Sequence, residues 1–94
     1  MRVHWTDNAV DHLVNIFNYI SLNSPIYAKR MVDRITRRTM QISDQPYSGR
    51  KVPEYQAEDV RELTEKPHRT IIKQDRVDVV AVIHGTRLMP DELY

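Results

Sequence analysis

Cysteine is absent from the 94 residues, which removes disulfides and thiolate metal ligands from any account of how this chain holds together. A cytosolic setting fits that composition. The N-terminal run Met1-Arg2-Val3-His4-Trp5-Thr6-Asp7 has no apolar stretch of signal-peptide or membrane-spanning length, so a soluble, unprocessed, cytoplasmic protein is expected. Internal repeats, low-complexity tracts and a dividing linker are also missing, and one domain spanning residues 1–94 is the expectation. Net charge is nearly balanced as well, with 14 Lys and Arg against 13 Asp and Glu. A protein relying on overall attraction to phosphate would be more basic.

What charge there is lies unevenly. Lys29, Arg30, Arg34, Arg37 and Arg38 fall within ten residues opposed only by Asp33, on the side of a predicted helix away from Met31 and Ile35. The ordinary reading of such a row is a solvated helix face. The functional reading is a docking face for an acidic protein or for phosphate, with affinity that falls steeply as salt rises. Tyr27 is the sole aromatic nearby, too little for stacking successive bases, so protein docking is favoured for Arg30, Arg34, Arg37 and Arg38.

The hydrophobic pattern changes once, from helical period to strand period. Val3 and Trp5 alternate with polar neighbours and predict a short strand. Thr6 or Asp7 then caps a helix whose apolar stripe is Ala9, Leu13, Ile16, Phe17 and Ile20. Asn23-Ser24-Pro25 ends it and starts a second helix burying Ala28, Met31, Val32, Ile35 and Ile42. So short a connection makes the helices antiparallel neighbours whose apolar faces need a sheet. From Ser43 to Glu58 the chain reads as loop, punctuated by Pro46, Gly49 and Pro53. Strands follow at 59–65, 68–74 and 77–84, with connections too short for crossover helices, hence an antiparallel meander. The last run, Val77 to Ile83, is apolar on both faces, which marks a central strand. The predicted class is α+β: a short N-terminal strand, an antiparallel helical hairpin, then a three-stranded antiparallel meander.

In this order and spacing, several short motifs resemble the RelE/ParE superfamily of type II toxins, the toxic halves of toxin-antitoxin pairs. They are Trp5-Thr6-Asp7-Asn8-Ala9 with Ile16 to Ile20, then Gly49-Arg50-Lys51-Val52-Pro53-Glu54 and Arg61-Glu62-Leu63. His68-Arg69 entering Ile71-Ile72, and Val82-Ile83-His84-Gly85-Thr86-Arg87-Leu88, complete the set. The resemblance implies a cognate antitoxin as partner, and one of two modes of action. RelE-like members cut messenger RNA on the ribosome, which needs a base for the 2′-hydroxyl, cations for the phosphorane and an acid for the leaving oxygen. Arg69 and Arg87 match two phosphate-binding arginines of that branch; Glu54 would be the base and His84 the acid. Val60 and Glu62, however, stand where RNA-cleaving members carry a lysine pair, and the expected C-terminal tyrosine falls by spacing on Leu93, with Tyr94 one residue late. The Arg-Glu-Leu and His-Gly-x-Arg motifs resemble the ParE-like branch, whose members inhibit DNA gyrase without cutting RNA. A third reading is a relic that binds antitoxin and is not toxic.

Each residue also has a structural reading. His84 at the end of a strand can fix the following turn, Arg69 and Arg87 can pair with Glu62 or Asp78, and Glu54 in a polar loop is by default solvated. His4, His12 and His68 lack metal-ligand spacing, so neither metal nor other cofactor is expected, and no small-molecule substrate or membrane partner. Val80 and Val82, read by simple alternation as facing outward from the last strand, would give an antitoxin an apolar anchor.

Overall fold

Thr6 is where the chain turns from strand to helix, and its hydroxyl ties the two together. Oγ1 accepts the Ala9 N–H at 3.2 Å as an N-cap and donates to the Val79 carbonyl at 3.0 Å, so the cap that starts the helix also fastens it to the sheet. The computed structural model describes residues 2–45, 48–55, 57–73 and 77–84. Among them the order is β1 (His4–Trp5), α1 (Asp7–Ser21), α2 (Pro25–Met40), a 3₁₀ turn (Gln41–Ser43), β2 (Arg50–Lys51), β3 (Val60–Glu65), β4 (His68–Lys73) and β5 (Asp78–His84). Ser24 caps α2 through the Tyr27 N–H at 3.1 Å, with Pro25 in the first turn. Arg37 and Arg38 in the last turn complement the helix dipole.

The five strands form one sheet in the order β1-β5-β4-β3-β2. β3, β4 and β5 make the antiparallel meander, as expected. Two strands join it at the edges: β1, where the alternation of Val3 and Trp5 predicted a short strand, and β2, which the hydrophobic period did not announce. β1 pairs parallel with β5 over His4↔Asp78 and Trp5↔Val79, and β2, inside the stretch read as loop, pairs antiparallel with β3 over Arg50↔Glu62 and Lys51↔Arg61. β5, flanked by β1 and β4, is an interior strand as expected, and β4 occupies the middle of the sheet. Gly49 lets β2 approach so closely: a Cβ there would lie 2.6 Å from the Glu62 carbonyl oxygen, closer than non-bonded atoms tolerate.

Both faces of the sheet are covered. Toward the helices, Leu63, Ile72, Val77 and Val79 pack with Ala9 and Ile42, while Val82 meets Met31 and Ile35. Phe17, expected in the α1 stripe, sits at its rim and is 37% exposed. On the outer face Val60, Ile71, Val80 and Ile83 pack with Val52, Tyr55 and Ala57 of the segment after β2. Each such buried aliphatic side chain contributes on the order of 1.5–3 kcal/mol.

A β-bulge decides which residues face which way. β4 and β5 are in step from His68↔His84 to Ile71↔Ala81, but Ile72 then pairs with Val79, leaving Val80 as the extra residue. One inserted residue inverts the in-out alternation along the rest of the strand. Val79 and Val82 thus face the helices while Val80 and Ile83 face outward. The exposure expected for Val80 and Val82 is corrected on two counts. They point to opposite faces, and they are only 0% and 3% exposed, because each face has its own cover.

Candidate functional site

The densest polar chemistry lies on the outer face around Glu62. This carboxylate sits in the middle of β3 with none of its side chain exposed, accepting from Arg50 Nε on one side and from Arg69 Nε, at 2.6 Å, on the other. Arg69 then reaches past Glu62 to the segment after β2. Its two terminal nitrogens donate to the two oxygens of Glu54 at 2.7 and 2.8 Å. All three guanidinium nitrogens of Arg69 are engaged, in a bidentate fork plus one further charge-assisted bond. The backbone explains the meeting. Glu62 is opposite Ile71 across β3 and β4, and Arg69 is two residues from Ile71 on the same face, the diagonal distance long side chains span. β2 brings Arg50 directly opposite Glu62.

Each carboxylate and guanidinium holds its partner in the charged form. The Arg69 bonds pull the Glu54 carboxyl down to about 2 from its ordinary 4.5, and Glu54, with Glu62, raises Arg69 further above its already high range. A smaller pair lies alongside, where Lys51 bonds Glu58 and lowers its carboxyl.

Of the residues proposed for RNA chemistry, the fold brings Glu54 and Arg69 together and takes His84 elsewhere. Arg69 is paired in register with the outward Ile83, whereas His68 is paired with His84, and both imidazoles line a cleft against α1. The His68 and His84 rings meet edge to face, 5.7 Å between centroids. The sheet itself therefore stands between the imidazole and the Arg69–Glu54 pair. Arg87 lies outside the described residues. The pairing of Arg69 with Glu62 is the structural alternative named for it; Asp78, the other carboxylate considered, is approached by His4 Nδ1 at 3.3 Å. The solvated default for Glu54 gives way to a bidentate ion pair. Arg50 was not singled out for this site, since two residues of β2 carry no period, and only its pairing with β3 shows the convergence.

Arg30, Arg34, Arg37 and Arg38 are all exposed along α2, and Arg38 donates to Gln41 at 3.0 Å. Among the described residues no group of three or more His, Asp or Glu side chains is arranged to hold a metal ion, and no helix is long and apolar enough to cross a membrane.

Acid is expected to weaken the fold in two separate ranges. Burial, then the neighbouring His84, lowers the His68 imidazole below its ordinary 6.5. The unfolded chain thus binds the proton first, and stability falls as pH drops through about 6.5. Glu54 is depressed too, so its contribution is present above 4.5 and is lost as pH falls from 4.5 toward about 2. Thermal unfolding followed across pH should show both limbs, with His68→Gln removing the upper and Arg69→Ala shrinking the lower. A midpoint flat across both ranges would contradict the assignment.

Comparison with known proteins agrees with this architecture. The family model describing the ParE toxin of the parDE type II toxin-antitoxin system matches residues 3–89. Among solved structures, one of the chromosomal ParDE toxin-antitoxin system from P. aeruginosa superposes with a TM-score of 0.72 at 21% identity, covering 89% of this chain and 95% of that one; at that identity the likeness speaks for the fold. Among curated protein sequences none matches. With the matched family model spanning nearly all of the strand-helix-helix-meander order, the chain belongs to the ParE toxin family of type II toxin-antitoxin systems.

Proposed function

We propose that this ParE-family chain acts as a stoichiometric inhibitor of DNA gyrase in the cytoplasm and is held inactive by a cognate antitoxin. The observation that carries the reading is the saturation of Arg69 by Glu54 and Glu62. A guanidinium spent on two carboxylates is poorly placed to take up charge on a scissile phosphate. Glu54, held near 2, is far too weak a base to draw a proton from a hydroxyl at neutral pH, where a catalytic pKa near the working pH is wanted. With His84 across the sheet and Val60 and Glu62 in place of the lysine pair, transcript cleavage lacks its acid and most of its cations. A binding mode of action needs none of these groups. The exposed row Arg30, Arg34, Arg37 and Arg38 suits it, since such a row steers an acidic partner surface into contact.

Induced expression tests the assignment. Growth arrest with relaxed plasmid DNA and intact transcripts is expected, and co-expression of the antitoxin should restore growth. Transcripts cut at codon-associated positions, with supercoiling unchanged, would transfer the chain to the ribosome-dependent RNase reading. Unimpaired growth would leave only an antitoxin-binding protein. Purified protein separates the first two further. An RNase would lose several orders of magnitude of cleavage on His84→Ala while remaining folded.

A further inference from the structure

One cleft has no part in the function proposed above. It lies between the C-terminal half of α1 and the adjoining ends of β4 and β5, with a volume of about 660 Å³, within the range of roughly 300–1,000 Å³ typical of ligand sites. Its apolar wall is Ile16, Ile20 and Val82. Its polar residues are His12, Asn15, Tyr19, His68 and His84. Each of those five carries an N–H or O–H able to donate, and among the described lining residues none is acidic.

Two of the imidazoles are particularly informative. His12 accepts the Val82 N–H at Nδ1, 3.1 Å away, which places the proton of the neutral ring on Nε2 and makes that atom a donor. His68 is 6% exposed, and its Nδ1 is buried without a hydrogen-bond partner. Such a nitrogen costs free energy that a bonding ligand would recover. We propose that this cleft binds a carboxylate carried on a short apolar stem, the stem against Ile16, Ile20 and Val82 and the carboxylate among the histidines. That chemistry has two sources: a free aliphatic acid, or the carboxyl terminus of a polypeptide ending in an aliphatic residue.

Charge argues for an anion over a neutral amide. The groups facing His68 are His84 on β5, His12 and Tyr19 on α1, and Glu65, its cross-strand partner on β3. Glu65 is outside the described lining, and Arg69, next in the chain, is turned to the other face. Burial and His84 both disfavour a charged His68. An anion between the rings reverses that balance, so binding takes up protons and tightens as pH falls.

The test is a titration of the full-length protein with 4-methylpentanoate, read by NMR at the histidine side chains, against its neutral isostere 4-methylpentanamide. The acid should shift the His68 and His84 signals saturably, with Kd on the order of 1 mM, and bind at least about tenfold tighter than the amide. Affinity should rise as pH is lowered from about 7.5 to about 6.5, where imidazoles begin to charge. Asn15→Leu, at an exposed helix position, should weaken binding without disturbing the fold, and His4→Gln, remote from the cleft, should not change it. A leucine-terminated peptide compared with its C-terminal amide distinguishes the sources. Tighter binding than the free acid, lost on amidation, points to a polypeptide terminus; equal or weaker binding points to the free acid. Equal affinity for acid and amide, or no saturable shift up to about 20 mM, overturns the proposal.

Discussion

Glu62→Ala is expected to destabilise the fold by about 3–5 kcal/mol, the usual cost of removing one partner from a buried ion pair. Its carboxylate has no exposed surface and accepts from Arg50 and Arg69 on opposite sides. Without it, Arg69, whose side chain is only 12% exposed, keeps Glu54 alone, and a void opens between β2, β3 and β4. Arg50, with 67% of its side chain exposed, can turn to water, so most of the loss falls on Arg69. Glu62→Gln keeps the volume but presents an N–H toward an arginine donor, and should recover only part of the stability. Since small domains are stable by roughly 5–15 kcal/mol, the alanine variant would be marginal, and growth arrest would fall with the amount of folded protein. Urea unfolding of Glu62→Ala, Arg69→Ala and the double variant measures the coupling directly. Additive losses, or a Glu62→Ala cost under about 1 kcal/mol, would reduce the cluster to a surface decoration.

Val80→Asp is expected to abolish the native state. Val80 is 0% exposed on the outer face, among Val60, Ile71 and Ile83 under Val52, Tyr55 and Ala57. A carboxylate there is desolvated, and Arg69, on the same face of the sheet, is already committed to Glu62 and Glu54. The penalty for an unpaired buried ion is several kcal/mol even after relaxation, comparable with the whole stability of such a domain. Val14→Asp, on the exposed side of α1 at 49% exposure, is the matched control and should change stability by no more than about 0.5 kcal/mol. Two-dimensional NMR of the two variants gives the contrast. A well-dispersed, native-like spectrum from Val80→Asp would mean that the outer face is open and that Val80 is available to a partner after all.

Local chemistry was enough to determine much of this protein: Ser24-Pro25 set the start of α2, spacings of three and four set both helix faces, and the turns between the last three apolar runs forced an antiparallel meander. The Arg69–Glu62 pair was also legible, as one of two carboxylates, Glu62 or Asp78, that could take up the arginine. Long-range geometry decided the rest. The alternation of Val3 and Trp5 marked β1 but not its parallel partner, and β2, two residues long, is too short for any period; β5 and β3 hold them through hydrogen bonds from chain segments far away or turned back on themselves. The bulge at Val80 depends on how β4 and β5 fit side by side, a quantity that alternation within either strand does not contain. By inverting the parity of β5 it set Val80 and Val82 on opposite faces, because a strand's side chains change face at every residue, and the pairing of His68 with His84 sets His84 behind the sheet from Arg69.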